Sequence, residues 1–293
     1  MSGSFTGAPR KIGALTTNTL TDLTRQRVFY FALIFALLLI GSSIFLARFS
    51  FQQEFQILKD VSLGAMSIMT SLLAVVATAR LIPQDVEDRT VYSILSKPVP
   101  RFAYLLGKLF GVLVLLAISL IIMSALFILT LYLREQTVLH ETAQQMSQAP
   151  PDQLDAALRS VRDSAFNLDL AAAVATIYLK AALLAALTLF VSTFASTHLF
   201  TIMVMVFVYF IGHLEATARE YWLHEQGGGW LAQTFLAFVT LVFPDLQAFN
   251  LIDDAVAGTV ISAALFGKTA LLGLFYTTVY TLLAIVVFYG KEL

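Results

Sequence analysis

The longest uncharged stretch of the chain is AALLAALTLFVSTFASTHLFTIMVMVFVYFIG, residues 181–212, which contains no Asp, Glu, Lys or Arg. A helix rises 1.5 Å per residue, so this stretch would extend for about 48 Å, whereas the hydrocarbon core of a bilayer is about 30 Å thick. A polar group from Ser192 to His198 lies where a turn would divide it. The stretch therefore predicts two membrane spans, at about 171–193 and 199–214.

The rest of the chain contains four more apolar runs that are free of charge and long enough to cross a membrane. They predict spans at about 28–47, 61–79, 109–133 and 269–289. The predicted fold class is therefore all-α, a polytopic membrane protein with six transmembrane helices. The run 230–243 is ambiguous, because about 14 apolar residues suit an interfacial or re-entrant helix better than a crossing. A seventh crossing there would put the two termini on opposite sides.

Composition agrees with this prediction and narrows the function. Hydrophobic residues make up 58% of the chain and charged residues only 13%, whereas soluble domains carry about 25% charged residues. An ordinary soluble enzyme, a disordered chain and a nucleic-acid binder are excluded. The net charge of −1 gives no overall field that would recruit polyanions. The chain has no cysteine, which excludes disulfides and cysteine-ligated metals.

Basic residues near the span ends predict the orientation. With the N-terminus in the cytoplasm, the inner segments carry ten Lys and Arg against five acidic residues, and the outer ones carry seven against fourteen. Both termini are therefore predicted to be cytoplasmic, with a cytoplasmic loop at 80–108 and external loops at 134–170 and 215–268. Residues 1–27 form a separate cytoplasmic segment before the membrane domain, 28–293. Apolar residues at helical spacing, from Ile12 to Leu23, predict an interfacial amphipathic helix within it.

Two of the loops carry further signals. In the outer loop, Pro150-Pro151-Asp152 is typical of a helix start and predicts a small helical cap over the spans. The inner loop is much longer than a simple hairpin needs. It combines both charge signs with an apolar stripe, and two prolines, Pro98 and Pro100, favour an extended turn. Composition alone leaves open whether this loop docks into another protein or rests on lipid headgroups.

The inner loop also carries a recognisable pattern. An acidic-Arg-Thr element at 88–90 precedes SILSKPVPR at 93–101, and Tyr-Leu-Leu-Gly-Lys follows at 104–108. This pattern resembles the permease subunits of ABC-2 type ABC transporters. The C-terminal FYGKEL at 288–293 and the stretch from Pro244 to Asn250 are similar to further features of that family. The resemblance covers nearly the whole chain in span layout, but its specific part is residues 85–108.

The resemblance implies a half-transporter in the bacterial plasma (inner) membrane. Its partners would be two separate ABC ATPase subunits, a second copy of itself or a related permease, and membrane lipids. The chain would bind no cofactor, while ATP and magnesium would bind to the ATPases. The direction implied is export. The residues that would couple to the ATPase are Asp85, Glu87, Asp88, Arg89, Thr90, Tyr92, Leu95, Lys97, Pro98, Pro100, Arg101, Tyr104 and Lys108.

Signals for chemistry are absent from the sequence. The four histidines stand apart from one another, and Phe-Gly-Lys-Thr at 266–269 lacks the first glycine of a phosphate loop. No catalytic residue and no metal ligand is predicted. Gly107 and Gly111 have the spacing that permits close helix approach, either within the chain or between two copies.

Lys180 is the one charge inside a predicted span. It lies near mid-depth, where a lysine costs on the order of 2.5–3.5 kcal/mol on insertion scales. Either the helix is shifted and Lys180 snorkels to the outer headgroups, or it faces a translocation path and meets an anionic part of the substrate. The alternative function is a secondary transporter or channel that is not coupled to ATP. The spans carry no Asp or Glu that would serve ion coupling, which favours the ABC permease.

Overall fold

In the computed structural model, residues 8–47, 54–87, 100–147, 150–224 and 244–290 are described, with the backbone alone from 215 to 224. Within these ranges the chain is helical and contains no strand. The helices are α1 Ala8–Thr24, α2 Arg27–Ala47, α3 Glu54–Glu87, α4 Arg101–Gln145, α5 Pro151–Ala165, α6 Asp169–Phe194, α7 His198–His224, α8 Ile252–Ala257 and α9 Ala263–Gly290, with a 3-10 turn at Gln247–Phe249.

Five of the described helices are long and apolar enough to cross a membrane, namely α2, α3, α4, α6 and α9. The chain is thus a helical, multi-pass membrane protein. The sequence predicts six spans, and the difference lies in α7, whose apolar part, His198–Leu214, is shorter than the other five. The predicted division of the longest apolar stretch is present, because α6 ends at Phe194 and Ala195 adopts an extended backbone before α7 begins.

Two ion pairs fix the register of the long helices. Arg134 of α4 contacts Glu54 at the start of α3, and Lys108 of α4 contacts Asp85 near the end of α3. The two helices are therefore antiparallel. The end of the bundle that contains Glu54 and α5 is called the α5 end below, and the end that contains Asp85 is called the Asp85 end.

Both helices are longer than the spans predicted within them. The sequence predicts spans at 61–79 and 109–133, whereas α3 has 34 residues and α4 has 45. Charged residues end a membrane span but not a helix, so the helices continue into the regions predicted as loops. Pro83 lies inside the last turns of α3 without ending it. Helix α5 begins at Pro151, at the predicted helix start in the outer loop.

Helices α3 and α6 form the centre of the bundle. In the most apolar 18-residue segment of each of these two helices, 72% is buried, against 28% in the corresponding segments of α2 and α9. Small residues on α6, such as Ala181 and Ala185, are fully buried and let α3 and α9 pack closely against it. The outer helices expose large apolar side chains, as expected of surfaces in contact with lipid.

The chain between α7 and α9 returns into the bundle. The backbone N–H of Leu246 donates to the carbonyl of Gly212 at 2.9 Å, so these residues lie at the same depth. Helix α7 continues for twelve residues beyond Gly212, so Leu246 lies beside the middle of α7 and not beside its end. The ambiguous run 230–243 itself lies outside the described residues.

Candidate functional site

The Asp85 end of the bundle brings together residues from both sides of the inner loop. The Lys108 ammonium lies 2.7 Å from Asp85 Oδ2, and the Tyr104 hydroxyl donates to the same oxygen at 2.5 Å. The Lys108 and Asp85 side chains are 8% and 17% exposed. A charge pair with so little contact with water is held more tightly than an exposed one. The end of α3 and the start of α4 are therefore joined by a buried contact.

Helix geometry explains why these two side chains of α4 share a partner. Tyr104 and Lys108 are four residues apart and so lie on one face of the helix. The Lys108 ammonium is 5.7 Å from the centre of the Tyr104 ring, within cation–π range. Tyr104 is fully buried, and its ring stacks on Phe288 of α9 with centroids 5.8 Å apart. This cluster connects α3, α4 and α9.

Arg101 strengthens the connection to α9. Its Nη1 donates to the carbonyls of Phe288 at 3.2 Å and Tyr289 at 3.0 Å, in the last turn of that helix. The last four carbonyls of a helix lack partners within the helix and attract positive charge. Arg101 thus binds the end of α9 within the same chain. The sequence predicts Arg101 as a residue that couples to the ATPase, and the structure adds a role within the chain.

The two glycines of α4 lie against α1. A Cβ atom added to Gly107 would lie 2.5 Å from Leu15 Cβ, and one added to Gly111 would lie 2.7 Å from Thr19 Cβ. Side-chain atoms do not approach that closely, so only glycine fits. The Thr16 hydroxyl also donates to the Gly107 carbonyl at 3.3 Å. The spacing predicts close helix approach, and the partner is the N-terminal helix of the same chain.

Other residues of the predicted coupling segment are only partly described. Glu87 is exposed in the last turn of α3, and Pro100 precedes α4 with an extended backbone, at φ −67° and ψ 142°. The remaining predicted residues lie outside the described part of the chain: Asp88, Arg89, Thr90, Tyr92, Leu95, Lys97 and Pro98.

Lys180 lies inside the bundle and does not reach its surface. It is 4% exposed, and its ammonium donates to the Ser67 hydroxyl of α3 at 2.5 Å. The snorkelling interpretation therefore does not describe this structure. Within the described chain no carboxylate forms an ion pair with Lys180. A second hydroxyl of α3, that of Thr70, is buried without a described hydrogen-bond partner.

Beyond α6, one titratable residue lies within electrostatic range of Lys180, and a second lies near the first. His213 of α7 is half-buried and lies within electrostatic range of both Lys180 and Asp245. Its Nδ1 is 2.9 Å from the Tyr209 carbonyl, and its ring lies 4.2 Å from the Tyr209 ring. Asp245 belongs to the stretch that returns beside Gly212. Because it is far from any predicted span in the sequence, the span pattern does not reveal a carboxylate at this depth.

The α5 end contains a second group of charged residues that the sequence analysis does not single out. Buried Lys59 donates to the Ser164 carbonyl at 2.8 Å, which connects α3 to the end of α5. A cavity of about 970 Å³ lies beside this contact, lined among others by Glu54, Arg159 and Asp163. Predicting this group would require knowledge of how α5 folds back on α3.

No family model matches the chain, and no curated protein matches its sequence significantly. Among the described residues, no group of His, Cys, Asp or Glu is placed to hold a metal ion.

Proposed function

We propose that this chain is the membrane-spanning permease subunit of an ABC-2 type ABC exporter. In this proposal α7 is the sixth span, both termini are cytoplasmic, and the Asp85 end faces the cytoplasm of a bacterium, with α1 at the inner membrane surface. Two permease chains assemble with two ATPase subunits, which bind the ATP and magnesium. The permease itself performs no catalysis.

The cluster at the Asp85 end is the observation that supports this proposal. The described chain stops at Glu87, two residues after Asp85, and resumes at Pro100, one turn before Tyr104 and two turns before Lys108. Because these residues also hold α9, and Gly107 holds α1, a force on the loop reaches four helices. A subunit that receives work from a separate ATPase needs such a connection between its docking segment and its spans.

Lys180 is the candidate for the translocation path. A buried lysine without a carboxylate in contact is costly in a membrane, and such residues usually mark a pathway for ions or substrates. In this proposal the ammonium meets an anionic part of the transported molecule when the bundle opens. In this structure the ammonium donates to the Ser67 hydroxyl.

One observation favours the second candidate, a secondary transporter or channel without ATP. His213 lies within electrostatic range of both Lys180 and Asp245, and titratable groups at membrane depth are typical of ion-coupled carriers. The predicted spans contain no carboxylate, which argues against such a carrier. The position of Asp245 beside α7 weakens that argument.

Purification of the chain from its native membrane without crosslinker tests the proposal. We expect two ATPase chains to co-purify, and the isolated permease to hydrolyse no ATP. Reconstitution with those ATPases should give ATP-dependent transport. Transport by the permease alone, driven by an ion gradient, would support the secondary carrier and overturn the ABC assignment, as would stoichiometric ATP hydrolysis by the isolated chain.

A further inference from the structure

The stretch 244–250 lies deep within the bundle. The Phe249 ring packs against Gly273 of α9 and Leu179 of α6, where a Cβ added to Gly273 would lie 2.9 Å from Phe249 Cε1 and 3.5 Å from Leu179 Cβ. The Thr269 hydroxyl donates to the Ala248 carbonyl at 3.4 Å, so the backbone of the stretch lies six residues, or about 9 Å, from the α5 end of α9. The Phe249 ring reaches about four residues deeper, to Gly273. Leu246 is bonded to Gly212 at a similar level.

At this depth the stretch presents polar groups outward. Gln247 is exposed, Asp245 and Asn250 are half-buried, and the Gln247 amide has no hydrogen-bond partner among the described side chains. The Asp245 carboxylate accepts from the backbone N–H groups of Gln247 and Ala248 at 2.9 and 3.2 Å, which closes the 3-10 turn. These three polar residues are called the polar edge below.

Lipid is a poor solvent for such a surface. Irregular backbone and polar side chains at membrane depth occur only where they are buried in protein or line a water-filled cavity. The exposed surfaces of α2 at comparable depth are apolar, for example Leu38, which is 66% exposed and lies nine residues before the end of its helix. The polar edge therefore differs in chemistry from the lipid-facing part of the bundle.

We propose that the polar edge is the wall of a water-filled vestibule that opens at the α5 end of the bundle. Its amides, Gln247 and Asn250, would hydrogen-bond the hydroxyl or amide groups of a hydrophilic solute, or of the polar part of an amphiphile. His213, which lies within electrostatic range of both Asp245 and Lys180, would form the inner limit of the vestibule. This inference depends on the depth of the stretch and holds for either candidate function.

Cysteine accessibility tests the vestibule directly, because the chain contains no native cysteine. Gln247→Cys is placed in the full chain, reconstituted in proteoliposomes, and treated with membrane-impermeant thiol reagents. One cationic and one anionic reagent are used, so that repulsion by local charge is not mistaken for exclusion of water. Leu38→Cys is the control at similar depth, and Leu168→Cys, at a position that is 92% exposed, is the control at the α5 end.

The thiolate is the reactive form, and burial in apolar surroundings suppresses it. We expect Gln247→Cys to react at least about tenfold faster than Leu38→Cys and nearer to the rate of Leu168→Cys. A rate equal to that of Leu38→Cys would overturn the proposal. So would resistance to both reagents combined with ready disulfide formation between two copies, since the edge would then be a subunit interface. No ATPase is needed, so the result is independent of the ABC assignment.

Discussion

Two buried lysines of this protein have opposite surroundings. Lys108, at the Asp85 end, contacts a carboxylate, a tyrosine ring and solvent to the extent of 8% of its side chain. Lys180, in the middle of the bundle, is 4% exposed and has one described hydrogen bond, to a serine hydroxyl. The first charge is neutralised within the fold, and the second is not.

The comparison separates structural charges from functional ones. A buried pair that loses one member leaves an uncompensated charge, so Lys108 is needed for the connection between helices. A buried lysine held by a hydroxyl contributes little to the stability of the fold and costs desolvation free energy. Its presence therefore indicates a role other than stabilising the fold. The predictions below test this distinction.

The largest expected effect is on Lys108. In Lys108→Met the Asp85 carboxylate keeps Tyr104 but loses the ammonium, so we expect a loss of about 3 kcal/mol, the lower end of the range for broken buried pairs. Thermal unfolding in detergent measures it. The matched control is the double variant Asp85→Asn with Lys108→Met, which should recover most of the loss. An unchanged melting midpoint in the single variant would show that the ion pair does not stabilise the fold.

Lys180→Met should change the stability of the protein in the opposite direction. Removing a charge at mid-depth should leave the bundle as stable as before or raise its stability by up to about 2.5 kcal/mol, while transport by the reconstituted complex falls. Ser67→Ala is the control, because it removes the acceptor and keeps the charge, and it should lower stability. A less stable Lys180→Met with normal transport would make Lys180 a structural residue like Lys108.

Gly107→Ala should separate α1 from α4. The added methyl group would meet Leu15 Cβ at 2.5 Å, and such overpacking costs about 1–3 kcal/mol. Gly13→Ala is the control in α1 itself, where no atom lies within 4 Å, and it should stabilise the helix by about 1 kcal/mol. Thermal unfolding compares the two variants. If both behaved alike, the close contact between α1 and α4 would be absent in the membrane.

The smallest effects on stability distinguish Arg101 from Lys97. Arg101→Gln removes a cation from the end of α9 and should cost about 1 kcal/mol. Lys97→Glu lies in the predicted docking loop and should leave the melting midpoint unchanged while it weakens ATPase co-purification. Equal ATPase binding by Lys97→Glu and the parent chain would favour the lipid-headgroup interpretation of this loop.

The sequence predicts the helical spans well because each long uncharged run has one physical solution in a bilayer. It predicts the break before α7 from the polar group at 192–198, and the start of α5 from Pro151. It does not predict where helices end, since α4 continues to Gln145, twelve residues beyond the predicted end of its span. It predicts six crossings, whereas five of the described helices are long and apolar enough, because the apolar part of α7 is short.

The candidate sites are less predictable because they depend on distant contacts. Lys180 is visible as a charge in an apolar run, but Ser67, 113 residues away, is not visible as its partner. The glycine spacing in α4 predicts a close neighbour without identifying α1. Asp245 reaches membrane depth only because the chain returns beside Gly212, and no local pattern encodes that return.

The length of α4 has a mechanical consequence. Its 45 residues form a rod of about 67 Å, more than twice the thickness of the hydrocarbon core. The ties at Arg101, Tyr104 and Lys108 hold one end, and α5 with its adjoining cavity packs near the other. Pivoting such a rod by about 10° at its tied end sweeps the far end through about 12 Å. Because α4 is one continuous helix, a small rotation at its tied end would produce a large displacement at its far end.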